Sequence, residues 1–149
     1  MRLAYPVEVR SSDIPGYVSF SFPDFLESGR YDTDRILLYC NAVVWLEHII
    51  VIRMRRREDI PKPSAAKDGN SLIAPGTLLA SKAAIYIAMR EAGVCQSELA
   101  RRIDVDRSKT HLLIDPVRSS RHATMDKAAA ALGKRLVVTI EDVGGNDAE

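Results

Sequence analysis

The stretch that decides the fold is CQSELARRIDVDRSKTHLLID, Cys95 to Asp115. Helix-type spacing occurs in it twice, and Asp104-Val105-Asp106 separates the two runs. Two short helices joined by a tight turn form the outline of a helix-turn-helix. Leu99, Ala100 and Ile103 share one face of the first helix, and the small Ala100 lets the second pass close by. Val105 plugs the turn, and Leu113 faces inward one helix later. Asp104 stands where the chain needs a positive φ, which Asp is among the few residues to tolerate. Asp106 is then a natural N-cap, offering its oxygen to orphan backbone N–H groups. The acidic interruption therefore turns the chain and restarts it across the first helix.

The restart exposes Arg107, Ser108, Lys109, His111 and Leu112 on the side away from Leu113. The N-terminal residues of a recognition helix are those that reach base edges in a major groove. Arg107 has the geometry for a bidentate guanine contact, and Ser108 and Lys109 suit bases or phosphates. Gln96, Ser97, Arg101, Arg102, Arg118 and Arg121 are expected on phosphates, where they set register and salt dependence. Charge distribution points the same way. The whole chain of 149 residues carries only +1, but residues 101–135 hold nine basic and four acidic residues, a local +5. Residues 1–64 balance nine of each, and residues 141–149 add four acids and no base. Asymmetry of this kind hints at an anionic partner.

Other signals mainly exclude. Hydrophobic content of 46% is enough to bury a core. Cys40 and Cys95, without a CxxC, argue against a disulfide framework and a zinc knuckle. His48, His111 and His122 lack metal-ligand spacing, so neither a metal nor a cofactor is expected. MRLAYPVEVR contains no apolar run fit for a signal peptide, and a cytoplasmic location is the default. The apolar segment Ile36 to Ile52 imitates a membrane anchor but contains Asn41, Glu47 and His48. A central carboxylate costs roughly 2.5 kcal/mol or more on insertion scales. A helix packed on a sheet, with a face to spare for a partner subunit, is the better reading.

The remaining elements give an α+β class. LAYPVEV reads as a strand, SSDIPG as a turn, and YVSFSF as a second strand with Val18, Phe20 and Phe22 on one face. FLESG is expected as a short third strand, with Asp32 or Thr33 capping the long helix that follows. Residues 1–64 then form an N-terminal α+β unit, with an edge strand expected at 71–75. Residues 76–141 form an all-α helix-turn-helix unit that closes in the strand RLVVTIE, and 142–149 form an acidic tail. Within the second unit, Thr77 is expected as an N-cap, and Gly93 and Gly133 as helix stops.

GYVSFSFPDF, the long helix, IPKPS, LLASKAAIYIAMREAGVCQSELARRIDVDRSKTHLLID and DKAAAALGKRLVVTIE together resemble HicB, the antitoxin of HicA–HicB toxin–antitoxin systems. The likeness covers roughly residues 3–141. It implies a partial RNase H-like N-terminal domain, ββ(β)αβ in order, without nuclease activity. That domain would bind a small HicA-like RNA-cleaving toxin, with Tyr17, Phe22, Asp24 and Glu27 as candidate contacts. The C-terminal part would dimerise, or form a larger homo-oligomer, and bind operator double-stranded DNA. Gln96, Arg107, Ser108, Lys109 and His111 match the family's DNA-facing positions. Thr110 stands where the family has an apolar residue, and Asp104 where it commonly has Gly. Two other readings compete. A ligand-responsive helix-turn-helix regulator needs a convergent polar pocket, which the N-terminal part does not display. A nuclease needs carboxylates gathered around metal ions. Glu8, Asp13, Asp24 and Glu27 are available, but no strand alternation presents an inward acid.

Overall fold

The computed structural model describes residues 1–25, 31–67 and 70–140, and for Arg107 the backbone alone. The first strand, β1 (Tyr5–Ser11), turns back into β2 (Tyr17–Ser21) through Ile14-Pro15-Gly16. Tyr17 N–H donates to the Ile14 carbonyl at 3.0 Å, and Gly16 sits at φ +82°. Pro at the second position and a positive-φ Gly at the third make this a type II turn. Strands β3 (Tyr31–Asp34) and β4 (Ser71–Ile73) complete an antiparallel sheet in the order β3-β2-β1-β4. The edge strand β4 spans Ser71–Ile73, shorter than the 71–75 expected, and pairs Tyr5 to Ile73 and Val7 to Ser71.

The expectation of a third strand at FLESG falls almost wholly outside the described residues. Of FLESG only Phe25 falls within the described residues, and it is a core residue whose N–H donates to the Phe22 carbonyl at 3.0 Å. The strand that pairs with β2 is YDTD, which no apolar alternation announces. Its polar side chains are satisfied within the fold: Asp32 accepts from the Ser19 hydroxyl, and Thr33 Oγ1 meets Asn41 Nδ2 at 2.5 Å. With Asp32 and Thr33 engaged there, the cap falls to Asp34, which accepts from Ile36 N–H at 2.8 Å and starts a 3-10 turn, Arg35–Leu37.

Helix α1 (Leu38–Arg56) follows and covers one sheet face. Ala42, Leu46, Ile49, Ile50 and Met54 pack with Tyr5, Val7, Phe20, Phe22 and Phe25. Among the described residues, the span Arg35–Arg56 is long and apolar enough to cross a membrane by length and composition. Its polar residues nevertheless serve the fold, since Glu47 Oε1 takes the Gly76 N–H at 2.8 Å. The face away from the sheet is open, with Ile36, Tyr39 and Val44 exposed.

Helix α2 (Thr77–Glu91) belongs to two cores. Leu79, Ala83, Tyr86 and Ile87 join the sheet-and-helix core, while Ile85 and Met89 join a second one. An apolar sequence around the whole helix permits this. Its C-terminal end is tied to the segment after α1: the Tyr86 hydroxyl donates to the Glu58 carbonyl at 2.8 Å, and Arg90 pairs with Asp59. Gly76, not Thr77, is the N-cap, because Glu47 supplies the oxygen from outside the helix. Gly93 ends the helix at φ +64°, with Val94 N–H returning to the Met89 carbonyl at 2.9 Å.

The second core is built from α2, α3 (Gln96–Arg102), α4 (Arg107–Ile114) and α5 (His122–Ala131). Of residues 135–141, expected to close as a strand, 135–140 make no strand pairing among the described residues and 141 lies outside them. Leu136 rests partly on the core, whereas Val137, Val138 and Ile140 are exposed. The apolar content is that of a strand, but a strand also needs a ladder partner, and none comes from the described part of this chain.

Candidate nucleic-acid interface

The candidate interface is built around the turn between α3 and α4. Leu99 and Ala100 are buried, and Ile103 closes α3 against Leu113 and Met125. Asp104 then takes φ +52°, the left-handed conformation. Val105 N–H returns to the Ala100 carbonyl at 3.1 Å, which places the Val105 side chain against the core. Asp106 caps α4, its Oδ1 accepting from Ser108 N–H at 2.7 Å. That bonding from Ser108 holds the Asp106 carboxyl below its usual range, and Lys109 adds a smaller pull. An ionised cap at the positive end of a helix is electrostatically favoured.

Residues of α4 then sort by face. Thr110, Leu113 and Ile114 are buried. Thr110 fits a position that favours an apolar residue because its hydroxyl donates to the Asp106 carbonyl at 3.3 Å and leaves no polar atom stranded. Ser108, Lys109, His111 and Leu112 point outward. Lys109, Arg118 and Arg121 make no ion pair among the described residues, so three cations are available on and just beyond α4. Gln96 is exposed at the start of α3 and Ser97 is half-buried beside it.

Arg101 and Arg102 are placed differently from the others. Arg101 grips Glu98 with two nitrogens, at 2.9 and 2.8 Å. Arg102 Nε reaches the same carboxylate at 2.9 Å, and its Nη1 lies 3.4 Å from the Ala131 carbonyl of α5. Hydrogen bonds from both guanidinium groups pull the Glu98 carboxyl down to about 2. As placed, their donors serve α3 and the α3–α5 contact rather than an outside anion. Glu98 stands three and four residues before them, the helical ion-pair spacing.

Sequence reasoning also missed Lys82. It is 0% exposed, and its ammonium donates to the Leu112 carbonyl at 2.9 Å and the Asp115 carbonyl at 2.7 Å. No sequence pattern separates a buried lysine from an exposed one on a helix of this composition.

Of the candidate toxin contacts, the three among the described residues do not form one surface. Tyr17 is 43% exposed on the sheet face away from α1. Phe22 is a core residue at 1% exposure, in edge-on contact with Phe20, and offers no surface to a partner. Asp24 is half-buried and accepts from Ser64 N–H at 3.0 Å, tying the loop after β2 to the segment after α1. Glu27 lies outside the described residues. Of the carboxylates weighed for metal chemistry, Glu8 pairs with Arg10 at 3.5 Å and Asp24 is engaged as above. Among the described residues, no three His, Cys, Asp or Glu side chains converge on a metal position.

No family model matches the chain. Two named relatives do. An antitoxin HicB of Pseudomonas fluorescens (strain Pf0-1) is 28% identical over 101 residues, 67% of this chain and 69% of that protein. An antitoxin HicB 1 of Photorhabdus laumondii subsp. laumondii is 27% identical over 139 residues, 93% of this chain and 88% of that protein. The longer match includes the helix-turn-helix as well as most of the sheet-and-helix half. By sequence, over nearly its whole length, this chain is a relative of the HicB-family antitoxins.

Proposed function

We propose that this chain is an antitoxin that also represses its own operon, a binding protein without turnover. Its N-terminal sheet and helix would cover a small HicA-type RNA-cleaving toxin. Its α3–turn–α4 unit would grip operator DNA in the cytoplasm. The names of the two relatives support the antitoxin part. The observation that carries the DNA part is the exposed start of α4, where Ser108, Lys109 and His111 face outward behind an aspartate cap. Arg107, in the first turn, is the residue assigned to a guanine, and Arg118 and Arg121 to phosphates.

One helix-turn-helix grips too little DNA for tight specific binding, so two copies are required. The extended segment 134–140, with exposed Val137, Val138 and Ile140, suits pairing with its counterpart in a second copy. The two α4 helices would then read half-sites about 34–36 Å apart on a palindromic operator. Co-expression with the neighbouring small reading frame tests the antitoxin part. The neighbour should arrest growth alone and be neutralised by this chain, and a neighbour harmless alone removes the assignment.

A specific feature favours one alternative. A groove of about 650 Å³ runs between Leu3, Ala84, Ala88 and the segment Leu136–Thr139, large enough for a small molecule. A ligand-responsive regulator would bind a metabolite there, and its gene would lack a small basic neighbour.

A further inference from the structure

A fully buried lysine is unusual, because an ammonium taken from water loses its hydration and is rarely buried without a compensating partner. Lys82 is buried on α2 and bonds to no carboxylate among the described residues. Both its bonds go to backbone carbonyls at the end of α4. Those carbonyls lie at the negative end of the helix dipole, where a cation is favoured. Burial still pulls the ammonium below the usual lysine range, with the Asp115 carboxylate pushing the other way.

Stability alone does not call for this arrangement. The Leu112 carbonyl also accepts from the Ser120 hydroxyl at 3.2 Å, and the Asp115 carbonyl from Arg118 N–H at 3.3 Å. Each would keep a donor if Lys82 were apolar. What an apolar residue would not keep is the geometric tie. Leu79, Ala83 and Tyr86 hold α2 in the sheet-and-helix core. A slide of α4 by one residue, about 1.5 Å, would break both Lys82 bonds. The Asp106 cap fixes the start of α4 and Lys82 fixes its end. Reading a base edge needs side chains held within about 0.5 Å of their working position.

We propose that Lys82 is a positioning residue for base reading, which locks the axial and rotational setting of α4 against α2. The inference rests on the operator-reading role given to α4. Binding of the full-length protein to its operator and to a scrambled duplex of equal length tests both. Lys82→Met should lower operator affinity about 10-fold, the scale of one hydrogen bond to a charged group. Affinity for the scrambled duplex should stay within about 3-fold, because exposed cations set it. Lys82→Arg, which keeps charge and donors, should recover part of the loss. Thermal melts establish that the variants are folded, and if Lys82→Met does not fold, Lys82→Gln carries the same comparison. A folded variant with the wild-type ratio of operator to scrambled affinity overturns the positioning role. A wild-type protein that does not distinguish the two duplexes overturns the operator reading itself.

Discussion

Helices α3 and α4 are separated by one tight turn and each carries two strong cations, yet Arg101 and Arg102 of α3 are used differently from Lys109 of α4. On α3, Arg101 and Arg102 close on Glu98. On α4, the nearest carboxylate is Asp106, and it is committed to the helix cap. Lys109 is left without an ion pair among the described residues. A local excess of basic residues is therefore not the same as a surface ready for phosphate. The difference lies in whether the carboxylate three or four positions before the cation is free to pair, as Glu98 is, or committed to a helix cap, as Asp106 is.

The comparison breaks most completely if the frame that holds the two helices is lost. Leu99 is 0% exposed between them, and Leu99→Ala should cost about 2–5 kcal/mol of stability. Denaturant melts measure it, and a loss under about 1 kcal/mol would mean that α3 does not pack closely on α4 through Leu99.

Next in size is a direct contrast on DNA. Arg107→Ala should cost about 1–3 kcal/mol at the operator and relax base preference at one position. Arg101→Ala, whose guanidinium is held by Glu98, should cost far less. Equal losses in a gel-shift titration would show that the Glu98 pairing opens on DNA. Arg121→Ala should act differently from both, weakening all sequences alike and reducing the salt slope by about one. A sequence-dependent effect at Arg121 would move it from phosphate to base contact.

Much of the α3–turn–α4 geometry was legible because its requirements are local. A positive φ at Asp104 and a cap at Asp106 depend on side chains within three residues. Gly93 and Gly133 act as stops for the same reason. The pairing of Glu98 was equally local and open to reading from ELARR, but a net-charge count conceals it. What was not legible depends on distant partners. YDTD becomes a strand because Ser19 and Asn41 satisfy its polar side chains. RLVVTI has strand composition, but alternation tells which face could be covered and not what covers it. Phe22 shares the apolar face of YVSFSF with Val18 and Phe20, and its place in the core, which that face already indicated, removes it as a toxin contact. Lys82 sits where only the placement of α4 reveals its use.

The smallest effect separates the two helices most cleanly. Glu98 has a carboxyl pulled to about 2 in the folded protein, below its ordinary value of 4.5. A depressed acid contributes stability above its unfolded value and loses it as pH falls through the folded one. The contribution should therefore be intact at neutral pH and fade between about 4.5 and about 2. Glu98→Gln removes it at every pH, so the gap in melting temperature between wild type and variant should close as pH drops through that window. Because the pair is on the surface, the gap at neutral pH will be slight. The same substitution frees Arg101 and Arg102 and should steepen the salt dependence of scrambled-duplex binding by one to two phosphate contacts. No corresponding carboxylate exists on α4, so that helix has nothing to release. A melting gap independent of pH, or an unchanged salt slope, would mean that α3 presents its arginines to DNA much as α4 presents Lys109, and the contrast between the helices would disappear.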